Sequence, residues 1–260
     1  MREWICGRNP VYETLRARRR HLFRLLVAEG AQEKGRLLEI QHLCQEQKLP
    51  LERVSRQRLQ SLDQNNQGVA LEASGYPYSN LQDILLLAES RAEPLFVLIL
   101  DALQDPQNLG TLLRTAEVVG VHGVLLPLRH SVTVTPAVVS ASSGASEHLL
   151  VAQMNLAQAI HELKEAGAWV VGLEGSPAAE RVDQVRLDGA IALVVGGEGQ
   201  GMRLLIHDSC DVRMRLPMRG QVESLNASVA GSVALYMTWQ RRGFGQYETF
   251  AGSDLTGPDY

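Results

Sequence analysis

The sequence predicts an α/β protein of two domains, a small α/β module followed by a larger one with a mostly parallel sheet. Three observations carry this. Apolar runs such as Leu95-Phe96-Val97-Leu98-Ile99-Leu100 and Ile191-Ala192-Leu193-Val194-Val195 read as strands buried on both faces. They alternate with amphipathic helical patterns, as in a sheet covered by helices on both sides. Between residues 74 and 94 the chain turns to punctuation, Ser74-Gly75-Tyr76-Pro77-Tyr78-Ser79-Asn80 and then Arg91-Ala92-Glu93-Pro94, which marks a boundary.

The first domain, residues 1–75, reads as helix 10–19, strand 22–27, helix 33–47, a short strand at 51–54, helix 55–62 and strand 68–73. A linker over 76–94 holds a short helix from Leu81 to about Ser90, and Pro94 stops any continuation. The second domain, residues 95–242, adds apolar runs at Gly123-Val124-Leu125-Leu126 and Trp169-Val170-Val171, with helices over 108–119, 155–166 and 226–241. Residues 243–260, rich in glycine and polar groups, read as a mobile tail. Ligand chemistry belongs at loops beyond the carboxyl ends of the parallel strands.

Composition narrows the function classes. A chain of 260 residues buries roughly 70–75% of its unfolded surface and needs no staples. Cys6, Cys44 and Cys210 are odd in number and widely spaced, which argues against a disulfide framework or a zinc site. No apolar run approaches the roughly 18–20 residues of a membrane span, and Met1-Arg2-Glu3-Trp4-Ile5-Cys6-Gly7 has no signal-peptide apolar region. The expectation is a cytoplasmic protein with no metal and no membrane contact. His122, His130, His148 and His207 are scattered and read as surface or structural residues. The net charge of −4 hides a split: residues 1–75 carry 13 basic and 9 acidic groups, the remainder 12 and 20. A basic module delivering something anionic to an acidic one would have this charge pattern, and so would ordinary surface variation.

Three loops carry the chemistry. In the first, Asp105-Pro106-Gln107-Asn108-Leu109-Gly110-Thr111-Leu112-Leu113-Arg114, a turn leads into a helix that Asn108 is suited to cap. Leu109, Leu112, Leu113 and Ala116 mark its buried face, and Arg114 lies off that stripe. The segment reads either as a capped helix with a surface Arg114–Glu117 pair or as an anion site with an arginine beside it. The second loop, Gly196-Gly197-Glu198-Gly199-Gln200-Gly201-Met202, lets backbone approach a ligand closely. Its spacing is not that of a dinucleotide fingerprint, and it falls too late in the domain for one. Glu198 at its centre would repel a pyrophosphate and suits a hydroxyl, an amine or a cation. In the third, Leu216-Pro217-Met218-Arg219-Gly220 leads to Ser224 and Asn226 at a helix start, where capping accounts for one of them but not easily both. The helix that follows is rich in small residues, Ala227, Ser228, Ala230, Gly231, Ser232 and Ala234, which implies close backbone approach, with a homodimer contact as the favoured cause.

Taken together, these segments resemble the SpoU (TrmH-like) branch of the SPOUT methyltransferases. The Asn-x-Gly-x-x-x-Arg pattern is met by Asn108, Gly110 and Arg114, and the Gly-x-Glu-x-x-Gly-Met loop by Gly196, Glu198, Gly201 and Met202. The third motif is met by Pro217, Met218, Gly220 and Ser224 to Ala230, with order and spacing kept across about residues 95–242. Gly144-Ala145-Ser146-Glu147 resembles a further family segment, although Leu149 stands where proline is common. Ile5-Cys6-Gly7-Arg8-Asn9-Pro10-Val11 resembles the start of the ribosomal-protein-like RNA-binding domain that precedes the catalytic domain in many members.

The resemblance implies a knotted (trefoil) α/β methyltransferase domain, a homodimer, and S-adenosylmethionine held by backbone around Gly196, Gly197, Leu216, Met218 and Leu225. It implies methyl transfer to a ribose 2′-hydroxyl in structured RNA. With both domains present, the closest resemblance is to the bacterial enzymes that modify a guanosine of 23S ribosomal RNA. Transfer-RNA and thiostrepton-resistance type enzymes share the three motifs. Arg114 would steady the developing alkoxide and grip a phosphate, because a guanidinium does not readily give up its proton. Ser224 and Asn226 would position the hydroxyl and Arg114, and Asn108 and Glu198 would orient the site. Arg16, Arg18, Arg19, Arg20 and Arg24, the densest basic cluster, are the candidates for RNA phosphate. A dinucleotide-dependent oxidoreductase fails on the glycine spacing and on Glu198, and a non-catalytic RNA binder would not need the intact set of site residues.

Overall fold

The computed structural model describes residues 2–199, 201–222 and 224–244. The tail expected over 243–260 lies outside them from residue 245 onward. In the first domain, β1 (Arg2–Cys6), α1 (Arg8–Ala17), β2 (Leu22–Ala28), α2 (Arg36–Glu46), β3 (Leu51–Val54), α3 (Arg56–Gln60) and β4 (Val69–Ser74) build a four-stranded sheet ordered β1-β4-β2-β3. β1 pairs antiparallel with β4 along its whole length. It escaped the hydropathy reading because it is an edge strand whose Arg2 and Glu3 side chains keep its outer end wet.

The second domain holds a seven-stranded sheet ordered β7-β6-β5-β10-β8-β11-β9. Its strands are β5 (Phe96–Asp101), β6 (Gly123–Pro127), β7 (Val151–Met154), β8 (Trp169–Leu173), β9 (Glu180–Arg181), β10 (Ile191–Gly196) and β11 (Val212–Arg215), and every pairing recorded among the described residues is parallel. The chain runs outward from β5 to β7, returns on the far side as β8, and then inserts β10 between β5 and β8. The helices are α4 (Leu81–Ser90), α5 (Pro106–Val118), α6 (Pro136–Ala141), α7 (Leu156–Glu165), α8 (Leu204–Asp208) and α9 (Ala227–Arg241), with a 3-10 turn at Ala145–His148. Alternation along β5 divides the core. Phe96, Leu98 and Leu100 pack with α5 and α9, while Val97 and Ile99 pack with α4 and α7. The apolar β5 and β10 runs are therefore covered on both faces, as their composition requires.

Two expectations are corrected here. Residues 76–94 are not a free linker, because α4 is capped by Asn80 and Asp83 in a reciprocal box and buries Leu81, Ile84 and Ala88 in the second domain's core. A punctuated segment with an amphipathic helix inside it looks the same in sequence whether the helix docks or not. Of the small residues of α9, Ser228, Gly231 and Ala234 are buried, while Ala227, Ala230 and Ser232 are half-buried. A Cβ on Gly231 would meet Leu112 and Val195 of the same chain, so packing on α5 and β10 accounts for the buried three without a partner. The outward face of α9 carries Val229, Val233 and Tyr236 instead.

The two domains share one continuous apolar core, running from Ile5, Leu15 and Leu71 through Tyr76 to Phe96 and Val139. A buried ion pair crosses it. The Arg20 and Glu147 side chains are both 0% exposed, with Nε and Nη2 each donating to a carboxylate oxygen at 2.8 Å. Arg20 Nη1 also donates to Glu3 and to the Ser74 carbonyl at 2.9 Å.

Candidate active site

The carboxyl ends of β8, β10 and β11 open into one cavity of about 1020 Å³, the size of a nucleotide-class ligand site. Its walls are backbone and apolar side chains at Leu173, Val195, Leu216, Met218, Leu225 and Ala230, with Glu174, Glu198, Ser224 and Asn226 supplying polar groups. All five predicted cofactor positions, Gly196, Gly197, Leu216, Met218 and Leu225, line it.

The glycine loop is shaped by its own packing. A Cβ on Gly196 would come within 2.2 Å of the Gly201 backbone, and one on Gly197 within 2.4 Å of the Ala102 carbonyl oxygen. Gly201 has φ +66 and donates its N–H to the Gly197 carbonyl at 3.1 Å. These glycines fold the loop back on itself and press it against the end of β5. Glu198 is thereby held at the rim.

Glu198 Oε1 accepts from the side-chain amides of Asn108, in a short contact, and of Asn226, at 2.9 Å. Each asparagine orients that carboxylate from a helix start. Asn226 caps α9, its Oδ1 accepting from Ser228 N at 2.8 Å and Val229 N at 3.3 Å, so one side chain does both jobs. Asn108 is not the cap of α5, as the sequence led one to expect. Asp105 caps it, accepting from Gln107 N at 3.0 Å with Pro106 in the first turn, which frees the buried Asn108 amide for Glu198. Ser224 lines the same cavity and is not the cap.

Arg114 stands apart from this group. It projects from the exposed side of α5, and its Nη1 donates to Ser143 Oγ at 3.3 Å. Within one chain the structure therefore brings together Asn108, Glu198, Ser224 and Asn226 but leaves Arg114 outside the cavity lining. Sequence reasoning missed Ser143, which sits at φ 54 between α6 and the 3-10 turn; nothing local in Ser142-Ser143-Gly144 could have singled it out. It also missed Asp101, fully buried at the end of β5, which accepts from Arg203 N at 2.7 Å and Nε at 2.8 Å and so anchors the exit of the glycine loop.

The five arginines proposed for RNA divide. Arg20 is enclosed by Glu147 and Glu3, and Arg19 donates to the carbonyls of Pro77, Glu147 and Leu149. Neither is available to phosphate in this arrangement. Arg18 has a left-handed backbone at the end of α1, and the chain reverses there, so the next two side chains turn into the domain junction. Charge density in sequence could not reveal that direction. Arg16 and Arg18 are exposed beside Glu13 and Glu46, and Arg24 bridges Glu72 and Glu52 on the sheet.

The thiols contribute no nucleophile. Burial pushes Cys6 and Cys44 up to about 12 and Cys210 up to about 11. Among the described residues no three His, Cys, Asp or Glu side chains are grouped to hold a metal ion, and no helix is long and apolar enough to cross a membrane.

Comparison with known proteins points the same way. The SpoU rRNA Methylase family matches residues 95–236, and the RNA 2′-O ribose methyltransferase substrate binding family matches residues 4–79. A Bacillus subtilis protein named putative TrmH family tRNA/rRNA methyltransferase YacO is 41% identical over 244 residues, covering 92% of this chain and 96% of its own. The crystal structure of the SpoU methyltransferase AviRb from Streptomyces viridochromogenes, in complex with the cofactor AdoMet, is 20% identical with a TM-score of 0.77, covering 94% of this chain and 92% of that one. A structure described as an RNA 2′-O ribose methyltransferase is 26% identical with a TM-score of 0.74, covering 93% of this chain and 89% of that one.

Proposed function

The chain belongs to the SpoU rRNA Methylase family and is an S-adenosylmethionine-dependent RNA methyltransferase, and from that premise we propose that it methylates a ribose 2′-hydroxyl, in a guanosine of 23S ribosomal RNA. The observation that carries the reading is the pair of asparagine amides converging on Glu198 Oε1 at the rim of the cavity. Two amide donors on one oxygen fix the carboxylate in place and leave its other oxygen for a ligand.

The residues fit the cofactor. The apolar walls at Leu173, Leu216 and Leu225 accept an adenine-sized ring, while Glu198 offers negative potential to a cation. S-adenosylmethionine, when bound there, supplies a methyl group activated on a sulfonium. Transfer would form the bond from the 2′-oxygen to the methyl carbon as the carbon–sulfur bond breaks, with neutral S-adenosylhomocysteine as the leaving group and the hydroxyl proton passing to solvent water. Ser224 and Asn226 position the hydroxyl. The Arg114 guanidinium stabilises negative charge developing on that oxygen and grips the adjacent phosphate through its planar fork.

Residues 1–75 form the part that holds RNA in this reading, consistent with the substrate-binding family match over residues 4–79. A homodimer completes it. Val229, Val233 and Tyr236 leave α9 with an exposed apolar face beside α5, and Thr115 on α5 meets Ser232 on α9 at 2.9 Å. In this reading a second copy seated on that face supplies the Arg114 that one chain does not bring to its own cavity. Transfer RNA is the second reading, favoured by the tRNA/rRNA wording of the Bacillus relative's name.

The test is Arg114→Lys, which keeps charge and loses the fork. Methyl transfer to RNA is expected to fall by at least a hundredfold with cofactor binding unchanged. Near-normal turnover would refute the bidentate role.

A further inference from the structure

The arginines that the fold leaves available point to a different RNA track from the one the sequence cluster marks. On α1 the Tyr12 ring carries the Arg36 guanidinium over one face, Cζ 3.9 Å from its centroid, with Arg16 Cζ 5.5 Å from that centroid. One residue along, Glu13 pairs with Arg16 at 3.3 Å and with His148 Nε2 at 2.8 Å. Its carboxyl lies below the usual range despite partial burial, because the His148 hydrogen bond and the charges of Arg16, His148 and Arg36 all act on it. The four side chains thus share one local field.

His148 belongs to the second domain. The same segment brings Gly144 so close to α1 that a Cβ there would lie 2.6 Å from the Glu13 Cβ, and the neighbouring Ser143 holds Arg114. Arg36, Tyr12 and Arg16, joined to His148 through Glu13 and to Arg114 through the Ser143–Gly144 segment, therefore form a series that crosses the domain junction and ends on the residue placed in the reaction.

We propose that this strip is the track of the substrate RNA strand, with Arg36 and Arg16 on phosphates, Tyr12 beneath a base, and Arg114 at the target nucleotide. The inference rests on the RNA methyltransferase reading and adds where the strand runs. Charge complementarity supports it. Arg36 pairs with the exposed Glu39, a surface pair of the kind that is worth little and exchanges readily for phosphate, and Arg16, itself 53% exposed, pairs with the half-buried Glu13. A half-buried aromatic ring flanked by guanidinium groups is the stacking platform that single-stranded segments use. Arg19 and Arg20, by contrast, hold the junction over which the strip passes.

The experiment compares two double variants of equal charge change, Arg16→Gln/Arg36→Gln on the strip and Arg56→Gln/Arg58→Gln on exposed α3, with the wild-type chain. Binding to deproteinised bacterial ribosomal RNA is measured as a function of salt, and S-adenosylmethionine binding by equilibrium dialysis reports that each variant is folded. The strip variant is expected to bind RNA at least tenfold more weakly. Its plot of log K against log salt should flatten by about 1.4–1.8, two phosphate contacts at roughly 0.7–0.9 each. The α3 variant should stay within about twofold of wild type. Equal weakening of both variants, or no weakening of the strip variant while wild type binds, overturns the track. Failure of the wild-type chain to bind RNA at all overturns the RNA methyltransferase reading beneath it.

Discussion

The buried pair between Arg20 and Glu147 should behave as a single unit that locks the first domain onto the second. Replacing Arg20 by Met leaves a fully buried carboxylate facing no guanidinium; replacing Glu147 by Leu leaves Arg20 with the Glu3 carboxylate, whose side chain is 17% exposed, and the Ser74 carbonyl. Two charge-assisted hydrogen bonds of 2.8 Å are lost in either case, at about 1.5–3 kcal/mol each. Truncating one partner of a buried pair costs about 3–5 kcal/mol overall, out of a total stability of about 5–15 kcal/mol. At about 2–4 °C per kcal/mol for a chain of this size, even the lower figure lowers the melting temperature by about 6–12 °C. The double variant Arg20→Met/Glu147→Leu removes both fully buried charges, leaves only the partly exposed Glu3 without its arginine, and should recover much of the loss. Denaturant unfolding of the four chains gives the coupling directly. A coupling above about 2 kcal/mol is expected, with S-adenosylmethionine binding to the native protein unaltered. Additive losses, or single variants costing under about 1 kcal/mol, would refute the idea that this pair holds the junction.

Two further outcomes follow from packing and from pH. Gly110→Ala should destabilise by about 1–3 kcal/mol although alanine is the better helix former, because its Cβ would stand 2.4 Å from that of Ala141 and 2.9 Å from the adjoining backbone. Gly231→Ala meets only the flexible end of Leu112 inside 3.0 Å and should cost clearly less, which paired melting curves would check. His122 is buried, with Nδ1 accepting from Phe96 N at 3.0 Å and Nε2 donating to Glu93 at 3.0 Å. Desolvation holds its pKa below the usual 6.5, against the raising effect of Glu93. A depressed folded pKa means that the unfolded chain takes up the proton first as pH falls, so stability is complete above about 6.5 and declines below it toward the folded value. The His122→Asn variant should lose that slope, and an unchanged pH profile of unfolding would assign it to other groups.

The sheet strands buried on both faces were legible in the sequence, because Leu95 to Leu100 and Ile191 to Val195 leave no polar side for solvent. So were the residues of the cavity rim, since glycine, glutamate and asparagine at those spacings match a family pattern and the fold does bring Asn108, Glu198 and Asn226 together. Direction was not legible. Five arginines between positions 16 and 24 look alike as a string, yet the left-handed turn at Arg18 sends Arg19 and Arg20 inward and leaves Arg16 facing solvent. Asn108 looked like a cap because asparagine before an apolar stripe usually is one, and Asp105-Pro106 three residues earlier took that role. The inward face of α9 needed small residues for α5 and β10 of its own chain, a demand set by contacts remote in sequence.

The position of the transferred methyl group is the most direct test of 2′-O-methylation. The wild-type chain should be incubated with bacterial ribosomal RNA and S-adenosylmethionine labelled in its methyl group, and the RNA then hydrolysed with alkali. A methyl on the 2′-oxygen blocks attack on the neighbouring phosphodiester, so the label should be recovered in alkali-resistant dinucleotides that carry guanosine. Label released as mononucleotides would place the methyl on a base, and its absence from RNA altogether would contradict the transfer itself.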